Sequence, residues 1–345
     1  MADFSGFYDS CNLCPRNCGV NRYCGCGFCG EGAELRLACA SIHRGEEPPI
    51  TGTGGSGTIF VSGCNLGCVF CQNHQISRPA LLRSGLAARG AEQPLGRAVS
   101  IEEFVMICRT LQKAGAENIN IVTGSHAIPA LAAGIDAARS AGVYIPVLWN
   151  TSSYETVQAL ELLRGRIGIF LPDLKTLNVD IAKRFFNAPD YPAAAEAAIR
   201  TMMDMAADST GPGTAADRVI IRHLILPGFL DSTRQVLNWF ADNARGRALL
   251  SIMTQWTPPA GAGFDSGVQK DMPAGIPSCY VSMAEYETVL AWLDEFGIED
   301  GYCQELVTGS DWLPDFSRLN PFSSELSKPV WHWRDGFIRQ EPGAL

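Results

Sequence analysis

The sequence predicts an α/β fold, a partial (β/α)6-type barrel that is preceded by a cysteine-rich extension. Six short runs rich in Ile, Val and Leu have the composition of strands buried on both faces of a sheet. Helical periodicity fills the segments between these runs, as expected for repeated strand–helix units around a parallel sheet. No glycine-rich dinucleotide fingerprint follows the first run, which disfavours a flat doubly wound sheet. The predicted strands cover residues 58–62, 118–123, 144–149, 167–171, 219–226 and 249–254.

Two of the predicted helices begin with a capping box, in which a serine and a glutamate three residues later bond to each other's backbone N–H groups. Ser100 with Glu103 starts one helix, and Ser282 with Glu285 starts another. Apolar periodicity predicts further helices over residues 191–206 and 232–244. Each of these helices follows a predicted strand, which supports the alternating pattern.

The chain divides into three zones by composition. Residues 1–50 are rich in cysteine and glycine and are predicted to form a loop-like, metal-binding extension. Residues 51–310 carry the strand–helix alternation and are predicted to form the barrel, with a Gly/Arg-rich surface loop over residues 80–100. Residues 311–345 hold three of the seven tryptophans and are predicted to cover the barrel as an irregular segment.

The charge balance limits the partners that the protein is expected to have. The chain has 27 basic and 36 acidic side chains and a net charge of −9, which disfavours nucleic acid or a membrane surface. No run of about 18 apolar residues occurs, so no transmembrane helix is expected. The first residues lack the basic and apolar regions of a secretory signal. We therefore expect a cytoplasmic protein with reduced thiols.

The distribution of cysteines is the strongest indication of function. Of the 13 cysteines, seven lie between Cys11 and Cys39 and three lie between Cys64 and Cys71. An odd number cannot pair completely in disulfides, and dense disulfides are typical of small secreted domains. The clusters therefore indicate ligands of a metal ion or an iron–sulfur cluster.

Three of these cysteines follow the first predicted strand directly. Cys64, Cys68 and Cys71 have C-x3-C-x2-C spacing. A four-iron cluster normally takes four thiolates, so three would leave one iron open to a small chelating molecule, as catalytic metal sites keep an open position. Barrel enzymes also place their chemistry at the carboxyl ends of strands. The alternative is a structural zinc site with His74 as fourth ligand, although four ligands within eleven residues would be cramped.

At these residues the sequence resembles the radical S-adenosylmethionine (SAM) superfamily, whose signature is the three cysteines with an aromatic residue, here Phe70, before the third. Residues 57–74 are similar more specifically to PflX-type proteins, relatives of the pyruvate formate-lyase activating enzyme. Further similar segments begin at Cys11, Gly45, Asn118, Leu171, Arg222 and Trp312. The resemblance therefore extends over nearly the whole chain.

The resemblance implies a [4Fe–4S] cluster on Cys64, Cys68 and Cys71, with SAM bound to the fourth iron through its amino and carboxylate groups. One electron would split SAM into methionine and a 5′-deoxyadenosyl radical, which abstracts hydrogen from a substrate. The resemblance also implies a partial TIM-barrel core, and it places Phe70 against the adenine of SAM.

Polar side chains at later strand ends are further candidates for binding SAM. Asp173 and Lys175 resemble the Asp-x-Lys motif that activating enzymes use around SAM, with an ordinary ion pair as the alternative. Asn150, Thr151 and Ser152 follow the third predicted strand. They are predicted to bond to the ribose or the methionine carboxylate, and the alternative is that they cap the next helix.

Two further predictions concern the binding of SAM, one for Arg222 and His223 and one for the stretch after the second predicted strand. Adjacent strand residues point to opposite faces, so only one of Arg222 and His223 can face the lumen, and the resemblance favours His223 near SAM. Activating enzymes carry a Gly-Gly-Glu type motif for the SAM amino group, but the equivalent stretch here has no carboxylate. Thr123, Ser125 and His126 are the candidates to replace it.

A second metal site is predicted in the extension. Cys11, Cys14, Cys18 and Cys29 have metal-ligand spacing in a glycine-rich loop with too few apolar residues to fold alone. Zinc and an iron–sulfur cluster both remain open as its occupant.

The leading functional hypothesis is a radical SAM enzyme. Its first form is an activase that makes a glycyl radical on a protein substrate, and its second is direct modification of a small molecule or a peptide. A low-potential donor such as flavodoxin or ferredoxin would supply electrons. The competing class is a non-catalytic iron–sulfur electron-transfer or metal-binding protein, which predicts that Asp173, Lys175 and His223 do not converge on the three-cysteine loop.

Overall fold

Parallel strands form the centre of the fold in a computed structural model that describes residues 5–77, 95–209, 214–259 and 273–339. All six predicted strands are present in it, and a seventh follows them. The parallel strands are β2 (Ser56–Val61), β4 (Ile119–Val122), β5 (Val147–Thr151), β6 (Ile169–Pro172), β7 (Ile220–Leu224), β8 (Leu249–Met253) and β9 (Gly301–Cys303). Strands β2, β4, β5 and β6 are paired in that order, and β7, β8 and β9 form the next ladder.

Two parallel bridges join these ladders, one between Phe170 and Val219 and one between Asp173 and Arg222. The parallel strands thus follow one another in chain order, each beside its predecessor along the sequence. This arrangement confirms the predicted α/β class with a parallel sheet, in which the carboxyl ends of the strands share one edge.

One short helix precedes the parallel strands, and the others connect them. In chain order they are α1 (Pro48–Thr51), α2 (His74–Ser77), α3 (Ile101–Lys113), α4 (Ile128–Ser140), α5 (Val157–Glu161), α6 (Val179–Phe186), α7 (Tyr191–Ala207), α8 (Leu230–Asn243) and α9 (Met283–Glu295). No helix in these described ranges is both long enough and apolar enough to cross a membrane.

The two predicted capping boxes have different outcomes. At α9 both halves are formed, because Ser282 and Glu285 bond to each other's backbone N–H groups. At α3 the Ser100 side chain accepts from the Glu103 N–H, but the Glu103 carboxylate binds Arg97 and the indole N–H of Trp331 instead. Tertiary contacts therefore replace the second half of that box.

Antiparallel strands extend the sheet where the sequence predicts loops. Strand β1 (Arg36–His43) pairs with β2 and with β10 (Ser327–His332), while β3 (Arg97–Ala98) and β11 (Gly336–Phe337) add short ladders. The expectation that residues 1–50 are loop-like is wrong for β1. The expectation that residues 311–345 form an irregular cover is wrong for β10 and β11.

The physical reason lies in the composition of β1. Its six central residues are buried, although most of them are small or polar and show no apolar alternation. Cys39, in its centre, is fully buried beside Phe60 and Phe316, and burial raises the pKa of its thiol. Cys39 is therefore a core residue. Most of the predicted 80–100 loop, together with residues 340–345 of the predicted cover, lies outside the described residues.

The two faces of the sheet carry different cores. Leu148, Leu171 and Ile220 pack with Ile50 of α1 on one face, here called the inner face. The neighbouring strand residues, such as Trp149, pack with the helices on the other face. Because side chains alternate along a strand, Arg222 shares the inner face with Ile220.

A buried ion cluster lies on this inner face. The Arg222 guanidinium binds the carboxylates of Glu46 and Glu47, and Nδ2 of Asn120 donates to Glu46 at 2.9 Å. Burial alone would raise the pKa of Glu47, but the Arg222 charge lowers it below its usual value. The cluster joins the segment before α1 to strands β4 and β7.

We expect Arg222→Met to destabilise the protein strongly, because it leaves two buried carboxylates without their cation. Removing one partner of a buried pair costs about 3–5 kcal/mol, whereas Arg247→Met, which breaks the exposed pair with Asp204 at 2.7 Å, costs less than about 1 kcal/mol. Urea unfolding of the two metal-free variants measures the difference. Equal losses would show that the inner cluster contributes no more than a surface pair.

Candidate active site

The three-cysteine loop begins where β2 ends. Gly63 turns the chain with φ of 87°, and its N–H donates to the Ile76 carbonyl at 2.7 Å. A Cβ at this position would lie 2.3 Å from Cγ of Glu31, so only glycine fits. Cys64 and Cys68 are buried and Cys71 is half-buried. All 13 cysteines lie within the described ranges, and none forms a disulfide.

The thiol environment suits an iron–sulfur cluster. Burial raises the pKa of Cys68, and the nearby Cys71, Cys64 and Asp173 raise it further, while Lys175 opposes them. A metal bound to Cys68 would oppose this effect, because a coordinating thiol is deprotonated.

The alternative zinc site is not formed. Across residues 5–77, 95–209, 214–259 and 273–339, no three His, Cys, Asp or Glu side chains surround a single ion position. A cubane differs from such a site because each thiolate binds a separate iron at its own corner. Three soft thiols in one short buried loop fit that donor set.

Arg16, from the extension, holds this loop in place. Its guanidinium donates to the carbonyls of Asn65 at 3.1 Å and Leu66 at 2.8 Å in the loop. It also donates to the carbonyls of Phe186, at 2.9 Å, and Asn187, at the end of α6. One side chain thus binds the cysteine loop to the helix that follows β6. The sequence analysis assigned no role to Arg16, whose only signal is its position between Cys14 and Cys18.

Asp173 and Lys175 are brought to the cysteine loop. They form an ion pair at 2.5 Å. Burial would lower the pKa of Lys175, but the charges of Asp173, Cys68 and Tyr191 raise it above its usual value. The pair is thus both the predicted ion pair and a neighbour of Cys68. Two of the three residues whose convergence was predicted, Asp173 and Lys175, therefore lie near the cysteine loop.

His223 lies on the face opposite Arg222 and packs toward α8. Its ring nitrogens lie 2.7 Å from the Leu174 carbonyl and 3.0 Å from Oγ1 of Thr233, and burial lowers its pKa to about 4. Both nitrogens therefore have protein partners. Through Leu174, His223 supports the segment that carries Asp173 and Lys175.

The residues that end β5 have three different environments. Asn150 is half-buried, and its carbonyl accepts from the Thr123 N–H at 2.9 Å. Thr151 donates its hydroxyl to Glu155, and the Ser152 hydroxyl is buried without a partner in the described chain. The helix-cap alternative is wrong, because Thr156 caps α5 and accepts from the Ala159 N–H at 3.3 Å.

Phe70 lies in an aromatic group beside the loop. Its ring centroid is 4.8 Å from that of Trp256 and about 6 Å from those of Phe185 and Phe186. The Val69 N–H donates to the Phe185 carbonyl at 3.0 Å. The prediction that Phe70 contacts adenine stays a prediction.

The stretch after β4 provides no carboxylate of its own. Thr123 has a positive φ of 62°, and His126 is held by the Ser62 carbonyl at 2.8 Å. Burial lowers the pKa of His126 to about 3. Ser125, however, donates to Glu155 at 2.7 Å. The sequence analysis missed Glu155, which enters from the loop after the next strand.

The extension buries three of its predicted ligands together. Cys11, Cys14 and Cys29 interact electrostatically, and burial raises the pKa of Cys14 to about 12 and that of Cys29 to about 11. Cys18 instead accepts from the Phe28 N–H at 3.4 Å. A second metal site is not shown by this arrangement.

A comparison with protein families decides the class. The sequence model of the radical SAM superfamily matches residues 58–240, just over half of the chain. The chain belongs to the radical SAM superfamily. It is thus an enzyme of the class that cleaves SAM at an iron–sulfur cluster, and the matched range includes Cys64, Cys68 and Cys71 and the Asp173–Lys175 pair.

Similar proteins do not define the reaction of this radical SAM enzyme. The chain is 28% identical over 251 residues to the uncharacterized protein MJ0674 of Methanocaldococcus jannaschii. The aligned region covers 73% of this chain and 67% of that protein.

Two solved structures are similar to this chain at a low level. Streptococcus suis SuiB, bound to precursor peptide SuiA, has a TM-score of 0.43 and 14% identity over 70% of this chain, which spans 46% of SuiB. Methylornithine synthase (PylB) has a TM-score of 0.42 and 12% identity over 80% of this chain and 74% of the synthase. Likenesses at this level carry no argument about the substrate.

We expect Arg16→Met to weaken the cysteine loop without unfolding the parallel sheet, because hydrogen bonds from a charged donor contribute about 1.5–3 kcal/mol each. Iron in the reconstituted protein should then pass to a chelator roughly tenfold faster, since about 1.4 kcal/mol corresponds to a factor of ten. The matched control is Arg44→Met, an exposed arginine that donates to the Thr53 carbonyl at 3.1 Å. Equal rates in both variants would contradict the role of Arg16.

Proposed function

We propose that this enzyme cleaves SAM reductively and uses the 5′-deoxyadenosyl radical to abstract hydrogen from a protein substrate, as a glycyl-radical activase does. The observation that carries the cleavage step is the convergence of Cys64, Cys68 and Cys71 with the Asp173–Lys175 pair. All five lie at the carboxyl edge of parallel strands, where α/β enzymes bind their ligands. We take these strands to form a partial barrel.

The residues have distinct roles in this proposal. Cys64, Cys68 and Cys71 would ligate a [4Fe–4S] cluster, which supplies the electron that cleaves SAM. Lys175, held by Asp173, would bind the negative groups of SAM. Beside them, Phe70 would contact adenine, and Asn150, Thr151 and Ser152 would bond to the ribose or the carboxylate. In this arrangement His223 positions the Asp173–Lys175 segment.

A protein substrate is favoured by an open groove near this edge. The groove has a volume of about 530 Å³. Its lining includes Asn178 and Arg184 of the α6 region, Phe229 before α8, and Glu285 of α9. Phe229 contacts Phe185 at 5.5 Å, and Phe185 bonds to the cysteine loop. A volume of this size also fits a small molecule, so it is the open shape of the groove that favours a peptide segment in this proposal. A flavodoxin or ferredoxin is the proposed electron donor.

We propose that Cys11, Cys14, Cys18 and Cys29 hold a second metal, either zinc or an iron–sulfur cluster, whose binding would draw the four thiols together. The burial of Cys11, Cys14 and Cys29 without a disulfide supports this, as does the hydrogen bond that Cys18 accepts from the residue before Cys29. The segment also has few apolar residues, so a metal would stabilise it.

The test of function is anaerobic formation of 5′-deoxyadenosine. We expect the reconstituted and reduced protein to form it from SAM, and the Cys64→Ala, Cys68→Ala, Cys71→Ala variant to form none, because no ligands for the cluster remain. Addition of the high-molecular-mass fraction of an anaerobic cell extract should stimulate the formation of 5′-deoxyadenosine. It should also yield the EPR doublet of a glycyl radical.

The result that would overturn SAM cleavage is a reconstituted cluster whose EPR spectrum does not change with SAM and that forms no 5′-deoxyadenosine. Stimulation by the low-molecular-mass fraction alone would overturn the protein substrate and leave the cleavage step intact.

The second metal is tested in the background that lacks Cys64, Cys68 and Cys71. We expect this protein to retain one zinc ion or a four-iron cluster, and to lose it when Cys11, Cys14 and Cys29 become serine. Metal analysis by mass spectrometry gives the count. The control changes Cys24 and Cys26, which are exposed in the same segment, and should retain the metal. A background protein without metal would contradict the site.

A further inference from the structure

Three glutamines form a hydrogen-bonded group, here called the glutamine network, at the carboxyl ends of β8 and β9. Gln72, which directly follows Cys71, donates from Nε2 to the Gln255 carbonyl at 2.8 Å. Gln304 donates from Nε2 to Oε1 of Gln255 at 3.2 Å, and its own Oε1 accepts from the Thr254 N–H at 2.9 Å. All three glutamines are half-buried. The network therefore joins the cysteine loop to the ends of two parallel strands.

Backbone partners fix the direction of these side-chain amides. A backbone N–H can only donate, so Gln304 must offer Oε1 to Thr254 and therefore has Nε2 for Gln255. Because Nε2 can only donate, Gln255 must meet it with Oε1. The Gln255 carbonyl can only accept, so Gln72 must offer Nε2 to it. These bonds use neither Nε2 of Gln255 nor Oε1 of Gln72, so the network presents one donor and one acceptor.

The network lies between the cysteine loop and the groove of the proposed function. On one side, Gln72 directly follows a cysteine of the loop. On the other side, Sγ of Cys303, the residue before Gln304, lies 4.0 Å from the hydroxyl of Tyr286. Tyr286 in turn follows Glu285, which lines the groove. A peptide that extends from the groove toward the cysteine loop would therefore pass beside the network.

We infer that the glutamine network binds the main chain of the protein substrate. Nε2 of Gln255 donates to the carbonyl, and Oε1 of Gln72 accepts from the N–H, of one substrate residue. In an extended peptide these two groups of a residue point to the same side, as in the hydrogen-bonded pairs of antiparallel strands. The inference rests on the proposed function and adds how the substrate is recognised. Gln304 is a positioning residue, because it fixes the direction of the Gln255 amide.

The test measures how strongly a protein fraction stimulates the formation of 5′-deoxyadenosine by the reconstituted, reduced enzyme. The probe is the high-molecular-mass fraction of an anaerobic cell extract, and each rate is divided by the rate of the same variant without the fraction. Gln255→Glu retains an oxygen for Gln304 but replaces the donor with a second acceptor. We expect the half-stimulating concentration to rise at least about tenfold, because the substrate carbonyl loses its hydrogen bond and meets an acceptor instead.

Two variants test the direction that Gln304 imposes. Gln304→Glu retains an acceptor for the Thr254 N–H, but its second oxygen requires Gln255 to turn Nε2 toward it and Oε1 toward the substrate. We expect a loss of about the same size as in Gln255→Glu. Gln304→Met removes the bond without imposing the wrong direction, so its half-stimulating concentration should lie between those of wild type and Gln304→Glu. A purely structural role predicts the reverse order.

The matched control is Thr308→Glu, which adds the same charge to an exposed residue of the loop after β9. Its half-stimulating concentration should stay within about twofold of wild type. Thermal unfolding of the metal-free variants verifies that each of them is folded.

Each other outcome overturns a defined statement. Equal half-stimulating concentrations for wild type and Gln255→Glu would overturn the inference, because Nε2 would then bond to water or to the protein itself. An equal loss in Thr308→Glu would also overturn it, since the loss would come from charge, and so would the reverse order of the two Gln304 variants. A wild-type enzyme that forms 5′-deoxyadenosine without any stimulation by the fraction would instead overturn the protein substrate of the proposed function. The two failures are therefore distinguishable.

Discussion

The contact on which the site depends is that of the Arg16 guanidinium with the loop of three cysteines. A short loop with three thiols has no regular secondary structure to fix it, and its carbonyls must find donors. Arg16 gives two of them donors and binds the end of α6 with the same group. It also lies 3.7 Å from the centre of the Phe28 ring. The position of the cysteine loop therefore depends on a segment that lies outside the parallel sheet.

Because side chains alternate along a strand, neighbouring residues such as Arg222 and His223 support different faces of the sheet. On the inner face, Arg222 binds Glu46 and Glu47. On the other face, His223 binds Leu174 and Thr233. Some buried groups without a hydrogen-bond partner in the described chain, such as Oε2 of Glu155 and the Ser152 hydroxyl, instead follow a strand at its carboxyl edge, where no strand alternation fixes their direction.

This division explains how much the sequence could predict. The parallel strands were predictable because burial on both faces requires continuous apolar runs, and the cysteine loop was predictable from its spacing. Strand β1 was not, because its buried small residues resemble a loop until β10 supplies their partner. The surroundings of His223 and Glu155 depend on contacts between distant segments, which no local pattern contains. Arg16 lacked a local signal for the same reason.

The same reasoning links the two groups of cysteines. Hydrogen bonds from the Arg16 backbone and the Asn65 side chain lower the pKa of the Cys14 thiol, although burial raises it more. These donors would bond more strongly to a thiolate, and metal binding would convert the thiol to a thiolate. Asn65 belongs to the loop of Cys64, and its Nδ2 also bonds to the residue before Glu155. A metal on Cys14 would strengthen its bond to Asn65, so an occupied extension would stabilise the cysteine loop and the β5 loop together. Through Arg16 and Asn65, the extension thus contacts the cysteine loop whether or not it holds a metal.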